Sequence, residues 1–191
     1  MDALSGVFGA FGLSASAGLN AYVPLLIVSL TARFTELVTL VEPWDALTSW
    51  WVIGLLAVLS VVEFFADKIP VVNHVNDGIQ TFIRPAAGAL VFAATTKAVV
   101  DIHPVLAMAA GILVAGGVHA VKTVAVRPTV TATTGGAGNV PVSVGEDILA
   151  TLLSILAIVL PVVIAAVIIL AVTTIIWMLW RRSNRIKAAG A

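Results

Sequence analysis

The sequence predicts an all-α, polytopic helical membrane protein with about 5 transmembrane helices (4–6) and broken or re-entrant segments. Three observations carry this reading. The chain is 60 % hydrophobic and only 10 % charged over 191 residues, with a mean hydropathy of +1.11; so few charges could not cover a water-soluble domain of this size. The charges cluster, leaving uncharged runs as long as a bilayer is thick. Gly, Asn and Pro interrupt those runs where soluble helices would be continuous.

The first charge-free run extends from Ala3 to Ala32. Its first part, GVFGAFGLSASAGLN, is rich in small residues that let helices approach closely. Its second part, AYVPLLIVSLTA, is bulkier. The expectation is a first helix kinked near Asn20–Pro24 or split there into two pieces, with Asn20, Tyr22 and Pro24 at the break. An acidic connector, FTELVTLVEPWDA, follows. A second span is expected from about Leu47 to Phe65, anchored by Trp44, Trp50 and Trp51 at the interface. A third runs from about Ala86 to Val100, with Lys97 paired to Asp101, and DIHP turns into a fourth span from Val105 to about Ala125. Ala107, Gly111 and Ala115, at i, i+4 and i+8, form a close-packing stripe.

Residues 127–146 read as a flexible or re-entrant connector. Ser143 and Glu146 read as a capping box, starting the last helix close to there. That helix is expected from Ile148 to Trp180, kinked at Pro161. Residues 1–180 thus form a single transmembrane domain and 181–191 a short basic tail. The RRSNRIK run favours a cytoplasmic C-terminus, and the predicted location is the cell inner (plasma) membrane. The N-terminus, MDALSGVFGAFG, lacks the basic region of a cleavable signal, so the first apolar segment is expected to be retained.

Two polar islands share a rhythm. The first runs from His74 to Arg84–Pro85 and the second from His119 to Arg127–Pro128. If the echo is real, two halves are related by internal symmetry, with a site at their interface, as in secondary transporters. Proline disfavours helix in the residue before it, so Arg84 and Arg127 are expected beside helix breaks at Pro85 and Pro128, facing exposed carbonyls. Each arginine could hold those carbonyls, a carboxylate or an anion; each could equally meet lipid headgroups. Glu63 and Asp67 are one helical turn apart on one face. Glu63 is the first choice for a proton- or cation-linked carboxylate, its alternative role being an interfacial tether for Lys68 or Arg84. Asp77 is expected to pair with Lys68 or Arg84. His119 and Lys122 share a face, where a histidine could carry protons or the pair could snorkel to the interface.

Other chemistries are not indicated. Formal net charge is zero, without the basic face nucleic acids require. The absence of cysteine removes disulfides and thiolate chemistry. TTGGAGN lacks the Lys-Ser/Thr ending of a phosphate loop, and the histidines at 74, 103 and 119 have no metal-motif spacing. No catalytic residue, cofactor or metal is assigned.

GLSASAGLNAYVPLL, EFFADKIPVVNHVNDGIQTFIRPAAGAL and HAVKTVAVRP followed by SVGED together resemble a family of small bacterial integral membrane proteins classed as a domain of unknown function. The resemblance covers residues 6 to about 165. It implies a helical inner-membrane protein and supplies no substrate or catalytic residue. The functional expectation is a transporter or channel for an ion or small polar or anionic solute, through a polar path built from residues 63–85 and 119–146. The alternative is a non-catalytic membrane scaffold or assembly partner that binds lipid headgroups or another subunit. An enzyme acting on a lipid-linked substrate through Glu63 and Asp67 ranks last. Expected partners are the lipid bilayer and a homo-oligomer or membrane partner subunit.

Overall fold

The computed structural model describes residues 3–68, 70–97, 100, 102–161, 163, 166–167, 169–170, 172–174, 176–178 and 180–181, without the side chains of 70–75. Its regular elements are helical: α1 (Ala3–Leu19), α2 (Tyr22–Phe34), α3 (Trp50–Ala66), α4 (Pro70–Lys97), α5 (Pro104–Val121), a π-helical turn (Lys122–Val126), α6 (Arg127–Thr134) and α7 (Asn139–Val159). Among the described residues two stretches are long and apolar enough to cross a membrane, the continuous run Pro104–Thr134 and Asn139–Val159, while α1, α2 and α3 are shorter apolar helices.

The sequence of α1 explains why it lies at the centre, packed by α4, α5 and α7. Its buried residues are small, Gly6, Gly9, Ala10, Gly12, Ser14, Ser16, Ala17 and Gly18 among them, so neighbouring backbones come within contact distance. A Cβ on Gly9 would lie 2.8 Å from the Ala157 carbonyl oxygen of α7, and one on Gly18 would lie 2.5 Å from that of Ala115 in α5. Hydroxyls on α1 bond across to its neighbours: Ser14 Oγ donates to Gly88 O at 3.0 Å, and Ser16 Oγ reaches Ala150 O and Ser154 Oγ, each at 2.7 Å. In a water-free interior these bonds remove the cost of burying the hydroxyls.

The run Ala3–Ala32 is split, not kinked. Asn20 Oδ1 accepts from the backbone N–H groups of Tyr22 and Val23 at 3.2 and 3.0 Å, starting a new helix immediately after α1 ends. α2 then returns toward the N-terminal half of α1, because Glu36–Thr39, just past its end, line the same small cavity as Gly6, Gly9, Ala10 and Leu13. Leu13, Ala17, Ala21, Leu25, Val28 and Val38 share one apolar core. α3 begins beside the far end of α2, where Arg33 donates to Thr48 O at 2.6 Å and lies over the Trp50 ring.

Several expected boundaries move. The third span is the second half of one long helix, α4, which passes through Pro85 without a break. The Pro85 ring lies against α5 at Gly116, where even a Cβ would make only an ordinary contact at 3.6 Å; close packing overrides the local preference for a break. α4 and α5 run antiparallel in close contact, each of Gly88 and Gly111 facing the other's carbonyl, and the stripe Ala107–Gly111–Ala115 is buried as expected.

Residues 127–146 are not a flexible connector. They form α6, a tight turn with Gly135 and Gly136 at positive φ (61° and 91°), and the first third of α7. Ser143 and Glu146 therefore lie inside a helix that starts at Asn139, and no capping box forms. α7 ends at Val159, where Leu160 departs from helical geometry (φ −134°, ψ 60°) just before Pro161, as a proline that blocks the previous turn requires. The described residues from 161 to 181 are again helical, so the kink expected at Pro161 is a break between two helical stretches. Asp101, expected partner of Lys97, lies outside the described residues, as does the tail beyond Arg181.

Candidate functional site

The ends of several helices meet at one level of the bundle, around the turn between α1 and α2. α3 contributes Glu63, and the turn after it contributes Asp67 and Lys68. On α4, Asn76, Gln80 and Arg84 recur at helical spacing, with Asp77 and Thr81 alongside. α5 contributes His119. Lys122 and Arg127 are five residues apart, a spacing that an α-helix would turn to different faces. The π turn closes with the Arg127 N–H bonded to Lys122 O, and this wider turn carries both side chains to the same face.

The side chains form one connected ion-pair network. Arg84, with no exposed side-chain surface, donates from Nη2 to Glu63 Oε1 at 2.9 Å and lies 3.6 Å from Asp67 Oδ2. Lys122 Nζ pairs with Glu146 Oε2 at 2.7 Å and with Asp67 Oδ2 at 3.8 Å. Arg127 reaches Asp77 Oδ2 at 2.9 Å, Asp67 Oδ2 at 3.2 Å and Glu146 Oε2 at 3.4 Å. Asn76 Nδ2 donates to the second Asp67 oxygen at 2.7 Å. Asp67 is thus the hub. In its turn outside the helices, burial alone would raise its carboxyl, but Lys122, Arg84 and Arg127 together hold it below the usual carboxylate range.

The network also completes the broken backbone. Lys122 Nζ donates to Leu19 O at the C-terminus of α1 (3.2 Å), and Glu63 Oε2 accepts from Ala21 N beside the start of α2 (3.2 Å). A cation thus meets a helix C-terminus and an anion a helix N-terminus, the favourable sense at each end. His119 is bound on both nitrogens: Arg84 Nη1 lies 3.2 Å from Nδ1, and Thr81 Oγ1 lies 3.2 Å from Nε2. Guanidinium can only donate, so Nδ1 accepts and the imidazole proton sits on Nε2, toward Thr81. The Thr81 hydroxyl in turn donates to Asp77 O at 2.8 Å.

The structure therefore brings together Glu63, Asp67, Asp77, Arg84, His119, Lys122 and Arg127 from separate islands. Pairings differ from expectation at two places. Asp77 binds Arg127 instead of Lys68 or Arg84, because both project from helices that flank the same end of the bundle. Lys68 sits at the rim, bonded to Asp147 Oδ2 at 3.0 Å. Arg84 and Arg127 are not at extended residues: Arg84 is inside α4, and Arg127 is helical (φ −61°, ψ −46°), with Pro128 in the first turn of α6. Asn20 and the buried Pro24 do sit at the start of α2, and Tyr22 faces the Gln80 amide. The side chain of His74 lies outside the described residues, so the echo between the two islands is traced only through Arg84 and Arg127.

Sequence reasoning missed Glu146 and Asp147 as members. They are the only charged residues between Arg127 and Arg181. Their isolation was the available signal, since an acid inside an apolar stretch demands a partner. Among the described residues, four buried atoms in and beside the network have no hydrogen-bond partner: Asp77 Oδ1, Gln80 Oε1, Arg84 Nε and Ser143 Oγ. Among the described residues no group of acids and histidines is arranged to hold a metal ion.

A family model described as Domain of unknown function (DUF4126) matches residues 7–181. The chain belongs to the DUF4126 family. The match runs from within α1 to beyond the end of α7, so the whole charge network falls within the DUF4126 domain. No curated protein and no solved structure matches the chain. The resemblance noted from the motifs is confirmed as to a domain of unknown function, with the match reaching residue 181 and not about 165, and it supplies no activity for this DUF4126 chain.

Proposed function

We propose that the chain is a polytopic membrane protein that moves a proton or small cation through the charge network at the α1–α2 break. The observation that carries this reading is the placement of Glu63 and Lys122 on the two helix ends of an interrupted segment, inside an otherwise apolar bundle. Discontinuous helices whose ends face ionisable groups are the way transporters build ion sites. Ionisable groups in apolar surroundings are costly and, as a rule, functional. The orphaned polar atoms beside the network supply places for water or a hydrated solute. In this reading the α1–α2 hairpin is re-entrant, the apolar parts of α3, α4, α5 and α7 cross the inner membrane, and the basic run after Trp180 favours a cytoplasmic C-terminus. Binding and passage, not bond chemistry, are the activity.

A second reading, a non-catalytic scaffold, is favoured by a different observation. Every arginine and lysine of the network is paired, and a closed network staples helices equally well. Purified chain in proteoliposomes enclosing a pH-sensitive dye separates the two. Transport predicts a proton or cation flux above empty vesicles that Glu63→Gln abolishes while the variant still elutes as a folded species. Absence of flux in the unmodified chain across proton, sodium and potassium gradients would reject transport and leave the scaffold.

A further inference from the structure

A lateral cleft lies outside the charge network, between α3 and α7. It encloses about 580 Å³, within the range of small-molecule sites. Val61 and Phe65 of α3 form one wall, Ile148 and Leu152 of α7 the other, and Val23 of α2 the floor. The lining is apolar except at one end, where Asn20 and Asp147 stand, at Ser60 on the α3 wall, and at Thr151 on the α7 wall, whose hydroxyl donates to Asp147 O at 2.8 Å. An amphiphile is therefore the matching shape, with its tail between the walls and its head at the Asp147 end.

The polar end specifies the head. Lys68 Nζ donates to Asp147 Oδ2 at 3.0 Å and to Phe64 O at 2.8 Å and lies 3.3 Å from the centre of the Phe64 ring; its third N–H is the one a phosphate would take. Asp147 Oδ1 accepts from Asn20 Nδ2 at 3.0 Å, and each carboxylate oxygen keeps a further lone pair. Both side chains reach the surface, at 15 % and 14 % exposure. A cation and an anion side by side complement a zwitterion laid across them in the opposite sense, phosphate against the ammonium and amine against the carboxylate. The third element is Ser60, whose Oγ is buried without a hydrogen-bond partner. Because Lys68 reaches back to the Phe64 carbonyl, its ammonium sits about one helical turn, roughly 6 Å, from the Ser60 level. That separation suits the step from a lipid phosphate to an acyl ester carbonyl, which Ser60 would donate to.

We propose that this cleft binds one phosphatidylethanolamine molecule, with its phosphate on Lys68, its ammonium on Asp147, an ester carbonyl on Ser60 and an acyl chain between Phe65 and Leu152. The site stands independently of the transport reading. It touches the break itself, since Asn20 both starts α2 and holds Asp147.

The test is native mass spectrometry of the full chain in detergent, equilibrated with equal amounts of phosphatidylethanolamine, phosphatidylcholine and phosphatidylglycerol carrying identical acyl chains. Phosphatidylcholine has no N–H to donate to Asp147, and phosphatidylglycerol has no cation. The expected result is one retained phosphatidylethanolamine per chain, favoured by about tenfold or more, the ratio one charged hydrogen bond supplies. Ser60→Ala and Asp147→Asn lower that preference several-fold. Leu152→Trp, at a half-exposed position (52 %), fills the cleft and abolishes retention while circular dichroism and gel filtration stay unchanged; it keeps the test decisive should Asp147→Asn fail to fold. Equal retention of the three lipids would show only annular contact and overturn the proposal. A preference for phosphatidylglycerol would overturn it in favour of a simple anion contact at Lys68, and retention unaffected by Leu152→Trp would place the lipid elsewhere.

Discussion

Arg84 has no exposed side-chain surface and two carboxylates and an imidazole around it. Removing one member of a buried pair leaves the other charged and unsolvated, which costs about 3–5 kcal/mol. Arg84→Met should therefore destabilise the fold by that order, read as a lowered unfolding midpoint in detergent. Glu63→Gln combined with Arg84→Met should cost clearly less than the sum of the single changes, because the second removes a charge the first has stranded. Strict additivity would mean the two side chains do not form the pair described. Asp67 shows why the network cannot be read pair by pair: one of its oxygens serves three cations.

Helices here are placed by what their surfaces lack. Gly88 and Gly111 let α4 and α5 meet backbone to backbone, and a Cβ at Gly111 would run into the Gly88 carbonyl. Gly111→Val should separate these helices, lose the purified folded species and release Arg84 from His119 along the same interface. Gly54 is the control: nothing lies within 4 Å of the position its Cβ would take. Gly54→Ala should leave the protein folded and raise stability by up to about 1 kcal/mol, from helix propensity alone. Loss of folding in Gly54→Ala, or none in Gly111→Val, would contradict the packing described. The π turn is the other element-scale device. Were Lys122–Val126 regular α-helix, the five-residue spacing would turn Arg127 away from Lys122, which is why those five residues cannot be treated as spare helix.

Across the molecule the two ends of the bundle differ. The α2–α3 connector closes over the start of α1, whereas the network and the α6–α7 turn gather at the opposite end. If the bundle spans a membrane, single cysteines at Ala46 and Ala137, both at exposed positions, should be labelled by an impermeant thiol reagent from opposite faces. The absence of native cysteine makes that readout clean. Labelling of both from the same face would exclude the spanning arrangement.

By itself the sequence determined the all-helical class of the protein and the membership of most of the network. Hydropathy sets where helices form, because apolar runs of this length have no other stable fate. The break at Asn20 was legible too, since a side chain that competes with the backbone marks a helix start. Charges in apolar surroundings must find partners, so Glu63, Asp67, Arg84, His119, Lys122 and Arg127 could be singled out without coordinates. Which partners they find was not legible. Glu146 looked like a local cap because Ser143 stands three residues before it, yet it closes the network with Lys122 from another helix. Pro85 looked like a break, yet α4 continues through it, packed against α5. Local rules count only a residue's neighbours in the chain. Tertiary structure decided these points because a buried charge or ring is satisfied by whatever approaches in space, and that depends on which small-residue surfaces allow two helices to touch.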